Sequence, residues 1–254
     1  MVDGCTVVVD ILGVPIRSLT RRDLLEQVAS VLRTGQRAQV MYANAHTLNV
    51  ACRDRALHGV LNKADIVYCD GEGVRLAARL LGHSLPQRMT GADWIYDLCA
   101  VCQEHDFSLV FLGGEPGVAT QAAQKLRQRY PRLHIAGTLH GFFDRHGPEN
   151  DEVVGAISAL RPHVLLVGLG TPEQETWIAQ NFERLNVPVI WAVGALVDFV
   201  AGKVPRAPRW MLDHGLEWLF RFLVEPRRMF VRYVIGNPLF IFRVLKQRVL
   251  GWNC

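Results

Sequence analysis

Asp70 stands in "IVYCDGEGV" (66–74), where a short apolar run gives way to an acid and two glycines before a helical pattern begins. A carboxylate at the end of a buried strand can take a proton from an attacking hydroxyl as a general base. The same residue type also caps helices, with Gly71 and Gly73 serving the turn, and the sequence leaves both roles open. Asn44 and His46 in "YANAHTLN" (42–49) end an earlier apolar run and are hydrogen-bonding candidates for the same ligand. Asn is equally a helix cap, and a lone His is equally a satisfied structural residue.

Three further junctions place glycines between an apolar run and a helical stretch: "FLGGEPGVA" (111–119), "VGLGTPEQE" (167–175) and "AVGALVDFVAG" (192–202). Glycine lets backbone N–H groups approach a ligand closely and a helix N-terminus adds partial positive charge, so these turns suit a diphosphate. Gly71, Gly113, Gly114, Gly168 and Gly194 are therefore candidates for a nucleotide cradle. The chemistry is narrowed by what is missing. "GGEPG" is not G-x-G-x-x-G, "GLGTPEQE" lacks the third glycine, and no G-x-x-x-x-G-K-[ST] occurs. There is no D-x-D pair to hold a divalent metal against phosphates and no H-E-x-x-H. A nucleotide site that uses neither a metal nor a cofactor is the expectation.

Something must carry these junctions. Short β-branched runs at 38–43, 65–69, 108–113, 133–137, 163–168 and 187–193 alternate with helical patterns at 20–34, 73–81, 91–105, 115–130, 149–160 and 172–183. Strands apolar on both faces, separated by amphipathic helices, predict an α/β fold: a Rossmann-like, mostly parallel sheet with helices on both faces. Ligands of such sheets bind beyond the carboxyl ends of the strands, where the junctions lie. The 254 residues, half of them hydrophobic, suffice for one large core.

The N-terminus carries acids before its apolar residues, and Gly13 and Pro15 interrupt any signal-peptide core. Six scattered cysteines in a chain too long to need staples fit a reducing cytosol. The one close pair, Cys99 and Cys102, lacks a second pair at zinc spacing and reads as two small residues one helical turn apart.

The C-terminal stretch differs in character. From Arg206 onward there are nine Lys/Arg against three Asp/Glu, whereas the rest of the chain has nineteen against twenty-one. Aromatic and aliphatic residues alternate with arginines at helical spacing, with breaks expected at Pro226 and at Gly236-Asn237-Pro238. No apolar run is long enough to span a bilayer. Division at 205/206 thus gives a catalytic core (1–205) and a basic amphipathic helical appendage (206–254) suited to a membrane surface. The alternative is a terminal bundle packed on the core. No nucleic-acid-binding motif accompanies the basic residues. An apolar tail that neither spans nor packs also makes self-association plausible.

The segments "DGEGV", "RMTGADW" (88–94), "LGGEPGVA", "VGLGTPEQETWI", "AVGALVDFVAG" and "RAPRWMLDHGLEWLFRFLVEPRRMFVRY" together resemble the WecG/TagA/CpsF family of bacterial glycosyltransferases. The resemblance implies inverting, metal-independent transfer of a sugar, often of N-acetylmannosamine type, from a UDP-sugar to a polyprenyl-diphosphate-linked saccharide for cell-surface polysaccharide. It implies Asp70 as base, matches Asn44 to the asparagine of the family's early strand-end loop, and places Arg88 and Gln174 in the donor pocket and Asp198 near the nucleotide. Some members carry Thr where this chain has Tyr42, which bears on acceptor contacts. The family's C-terminal appendage implies a peripheral position on the inner face of the cytoplasmic membrane, with Arg206, Arg221, Arg227 and Arg228 as candidates for contacts to lipid or diphosphate. Two other classes compete: a nucleotide-cofactor oxidoreductase, disfavoured by the absent dinucleotide fingerprint, and a catalytically silent membrane-surface module.

Overall fold

The structure is a computed structural model that describes residues 7–254 apart from the side chains of Asp213 and Arg228, so the Arg228 candidate lies outside the described residues. The chain opens with a hairpin, β1 (Val8–Ile11) and β2 (Val14–Arg17), followed by α1 (Arg21–Thr34) and β3 (Ala38–Ala43). Next come α2 (Ala45–Ala51), α3 (Arg55–Lys63), β4 (Ile66–Cys69), α4 (Glu72–Leu80) and α5 (Gly91–His105). Strands and helices then alternate through β5 (Leu109–Gly113), α6 (Val118–Arg129), β6 (Ile135–Leu139), α7 (Pro148–Leu160), β7 (Val164–Gly168), α8 (Glu173–Asn181), β8 (Val189–Ala192) and α9 (Leu196–Ala201). The final stretch holds α10 (Arg209–Asp213), α11 (Glu217–Val224), α12 (Pro226–Met229), a π-helical turn (Phe230–Ile235) and α13 (Gly236–Leu250).

The eight strands form one sheet in the order β1-β2-β4-β3-β8-β7-β5-β6, parallel except for the β1/β2 hairpin. This is the expected α/β architecture. From β3 the chain passes to β4 on one side, and from β5 to β6 on the other. The loops after β3, β4, β7 and β8 therefore border one crevice at the carboxyl edge, the place where such sheets bind ligands. Trp191 of β8 stacks on Trp94 of α5 with ring centroids 4.0 Å apart, so the sheet and the helix after Thr90 share a rigid core.

Local differences from the sequence expectation have physical causes. The hairpin was hidden because its two-residue turn is Leu12-Gly13, both at positive φ, rather than the usual Asn-Gly. α2 and α3 are short and rely on caps, Asn44 accepting from the Thr47 amide and Asp54 from those of Ala56 and Leu57. Gly236-Asn237-Pro238 does not break the chain. It forms the first turn of α13, where a proline needs no amide partner. The cysteines are not all reduced, since Cys52 at the end of α2 is joined to the C-terminal Cys254 across 202 residues; Cys69, Cys99 and Cys102 are buried free thiols. Among the described residues no helix is long and apolar enough to cross a membrane.

Candidate active site

Strand register builds the centre of the site. β3 and β4 pair Tyr42 with Tyr68 and Ala43 with Cys69, so the next residues along, Asn44 and Asp70, leave the sheet side by side. Asn44 Nδ2 donates to Asp70 Oδ2 at 3.1 Å while its Oδ1 accepts from the Thr47 amide at 3.0 Å. One side chain thus caps α2 and orients the acid. Asp70 does not cap α4, whose N-cap is Gly71 at φ 128° with no side-chain bond. The capping role is therefore absent and the carboxylate is left facing the crevice. Burial lifts its pKa to about 6, against the lowering effects of the Asn44 bond and of Arg232 and Arg221.

The glycine turns form a closely stacked tier. A Cβ on Gly113 would come 2.5 Å from the Gly168 carbonyl oxygen, and one on Gly168 would run into the Gly194 carbonyl. Backbone can approach backbone here only because side chains are absent. Beneath the tier lies a buried polar network. Gln174 accepts from the Gly194 amide at 2.9 Å and donates to the Tyr42 hydroxyl at 2.9 Å and to Glu175 at 2.8 Å. Thr171 donates to Glu175 at 3.0 Å. Burial pushes the Glu175 carboxyl up to about 7, and raises the Tyr42 phenol well above its usual value.

The crevice above is a cavity of about 1170 Å³. Its wall includes Tyr42, Asn44, His46, Asp70, Gly71, Arg88, Gly114, Gly168, Gly194, Asp198 and Arg221, so most of the sequence-derived candidates converge on one space. Burial, with Arg232 nearby, lowers the pKa of His46 to about 4, which makes it a neutral hydrogen-bonding group at physiological pH.

Other candidates lie elsewhere. Gln174 is fully buried beneath the floor, where its bonds position the Gly194 turn. Gly113 belongs to the tier but is not on the cavity wall. Arg206 is occupied by Asp93 and the Ala92 carbonyl at the start of α5, and Arg227 is exposed away from the cavity. Sequence reasoning passed over Arg53, Arg232 and Glu217, all on the wall. Arg232 belongs to the quoted tail motif, but its direction is set by the π-helical turn, which helical spacing does not reveal. Among the described residues no three His, Cys, Asp or Glu cluster to hold a metal ion.

A desolvated carboxylate held by an amide at the carboxyl edge of a parallel sheet, in one cavity with arginines and glycine turns, marks the candidate active site of an α/β protein. The chain belongs to the glycosyl transferase WecG/TagA/CpsF family, whose family model matches residues 9–253. It is similar to two proteins of Staphylococcus aureus, from strains NCTC 8325 / PS 47 and MRSA252. Each is named N-acetylglucosaminyldiphosphoundecaprenol N-acetyl-beta-D-mannosaminyltransferase and is 29% identical over 246 residues, 96% of this chain and 94% of the relative. The chain is thus a glycosyltransferase.

Proposed function

We propose that this chain moves an N-acetylmannosamine-type sugar, with inversion and without a metal, from a UDP-sugar to a polyprenyl-diphosphate-linked saccharide in cell-surface polysaccharide synthesis. The observation that carries the reading is the Asp70–Asn44 pair at the cavity floor, with arginines from the C-terminal stretch across from it. The relatives' name, with its diphosphoundecaprenol-linked acceptor and mannosaminyl group, supports the substrate class.

Inversion requires the acceptor hydroxyl in line with the departing UDP, a base on the acceptor side, and positive charge at the leaving diphosphate. Asp70 is the base in this reading, and Asn44 fixes its rotamer. Arg88 and Arg221, together with the turns at Gly114 and Gly168, face the leaving group. Asp198 lies beside the nucleotide and His46 contacts the acceptor. Tyr42 and Gln174 hold the floor.

Division into a core (1–205) and an appendage (206–254) belongs to the same proposal, with the appendage lying on the inner face of the cytoplasmic membrane. Exposed Trp210, Trp218, Leu223, Phe230 and Val231, interleaved with exposed arginines, support this placement. Self-association through these residues is the competing use of the surface. Light scattering with and without anionic vesicles separates the two.

The decisive experiment measures acceptor-dependent UDP release from a panel of UDP-sugars in detergent and EDTA, by wild type and by Asp70→Asn. Release from one donor, lost in the variant, supports the reading. Failure to bind UDP, or full turnover by Asp70→Asn, overturns it.

A further inference from the structure

α11 is inverted relative to an ordinary surface helix. Trp218, Leu223 and Val224 on it are exposed, and Glu217 is the residue it buries, at 9% exposure. A helix that docked by apolar burial alone would bury its large apolar residues fully. Leu219, Phe220 and Phe222 are half-buried, and the contact that α11 buries most deeply is charged. The Glu217 carboxylate accepts from Arg88 Nη1, and both side chains are largely covered. Arg88 also lies 3.8 Å from Glu72, which Arg75 binds through both carboxylate oxygens at 2.9 and 3.0 Å. Burial is the largest single influence and lowers the Arg88 pKa; the Glu217 hydrogen bond, with the charges of Glu217, Asp93 and Glu72, together outweigh it and the net shift is upward. The turn before α11 admits little else, since a Cβ on Gly215, at φ 71°, would approach Glu72 to 2.9 Å.

Arg221 follows Glu217 by one helical turn, lies over the Phe199 ring at 4.7 Å, and reaches the cavity wall with Arg232. Arg221 lies on α11 and Arg232 on the π-helical turn that follows it, both line the cavity with Asp70, and the placement of Arg221 depends directly on how α11 is seated. We propose that the Glu217–Arg88 ion pair is the latch that seats the stretch from α10 to the π-helical turn over Asp70, so that Glu217 is a positioning residue for the arginines of that stretch. An ionic latch beneath an outward apolar face lets the stretch engage a lipid surface without first exposing a hydrophobic core. The proposal rests on the assignment of Asp70 as the reacting centre.

The test uses the full-length chain in detergent and compares wild type, Glu217→Gln, and the reversed pair Arg88→Glu/Glu217→Arg. Chymotryptic cleavage at Trp218 and Phe222 reports seating independently of activity. Because removing one partner of a covered ion pair leaves the other charge unpaired, Glu217→Gln is expected to raise the cleavage rate about tenfold or more. Its kcat should fall in similar proportion, with UDP affinity not weakened. The reversed pair should recover slow cleavage without recovering turnover, because Arg88 itself faces the site. Cleavage of Glu217→Gln at the wild-type rate, cleavage of the reversed pair as fast as that of Glu217→Gln, or fast cleavage with unchanged kcat, each overturns the latch. Absence of turnover by wild type with every donor would sink the transferase reading instead, and cleavage would still decide the latch.

Discussion

α11 and α13 come from the same basic, aromatic-rich stretch, yet they are held differently. α13 buries Phe240 and Val244, at 1% and 0% exposure, against the α/β core. It is fixed further by Arg243, which donates to Asn49 Oδ1 at 2.7 Å, by Gln247, which accepts from the Leu12 amide at 2.9 Å, and by the Cys52–Cys254 bond. α11 buries a glutamate and leaves Trp218 43% and Leu223 67% exposed. One helix packs on the core by apolar burial although it is remote in sequence. The other buries an ion pair, half-buries Leu219, Phe220 and Phe222, and leaves Trp218, Leu223 and Val224 exposed. Basic-aromatic composition is therefore not one structural role.

Several measurements would break or sharpen that contrast. The largest effect is expected at the core's reacting edge: Asp70→Asn should reduce acceptor-dependent turnover about a thousandfold with the thermal transition intact. Comparable loss from deleting the apolar side chains of α11 would deny the distinction. Next, Phe240→Ala should cost roughly 3 kcal/mol of stability, measured by denaturant unfolding, if apolar burial holds α13. A smaller response would show that α13 is not held by that burial.

Turnover should also follow the ionisation of Asp70. Because the fold raises its pKa to about 6, mainly by burial, and the base works ionised, the rate should fall about tenfold per pH unit below that value. A flat profile between pH 5 and 7 would exclude Asp70 as the base. Glu175 offers a stability counterpart. Its folded pKa, raised to about 7, lies above its ordinary 4.5, so the fold favours the protonated form. The stability this gives is complete below the ordinary value and is lost as pH rises through about 7. Glu175→Gln should flatten that dependence of the melting temperature. The smallest effect on stability is expected from Trp218→Ala, within about 0.5 kcal/mol, together with weakened binding to anionic vesicles. A large destabilisation would show that α11 is packed after all.

The parallel sheet was legible because β-branched runs apolar on both faces have few other folds open to them, and most strands lie where periodicity predicted. The β1/β2 hairpin was not, because Leu12-Gly13 lacks the usual turn residues. Within the site, Asp70, Asn44 and the glycine turns could be singled out, since acids and glycines at strand ends are informative in themselves. Whether Asp70 caps or faces the crevice was open until the backbone at Gly71 showed a helix that starts without it. Gln174 was legible as a site residue but not as one spent beneath the floor on the Gly194 amide.

By itself the sequence determined the alternation of strands and helices, the acid at the end of β4, and the basic character of the C-terminal stretch, because these are properties of residue types and local spacing. Tertiary structure alone decided that register sets Asn44 beside Asp70, that Arg232 and Glu217 reach the cavity, and that Cys52 meets Cys254. Those contacts join residues from 26 to 202 positions apart. Proximity of that kind comes from strand order and packing, which no local pattern records.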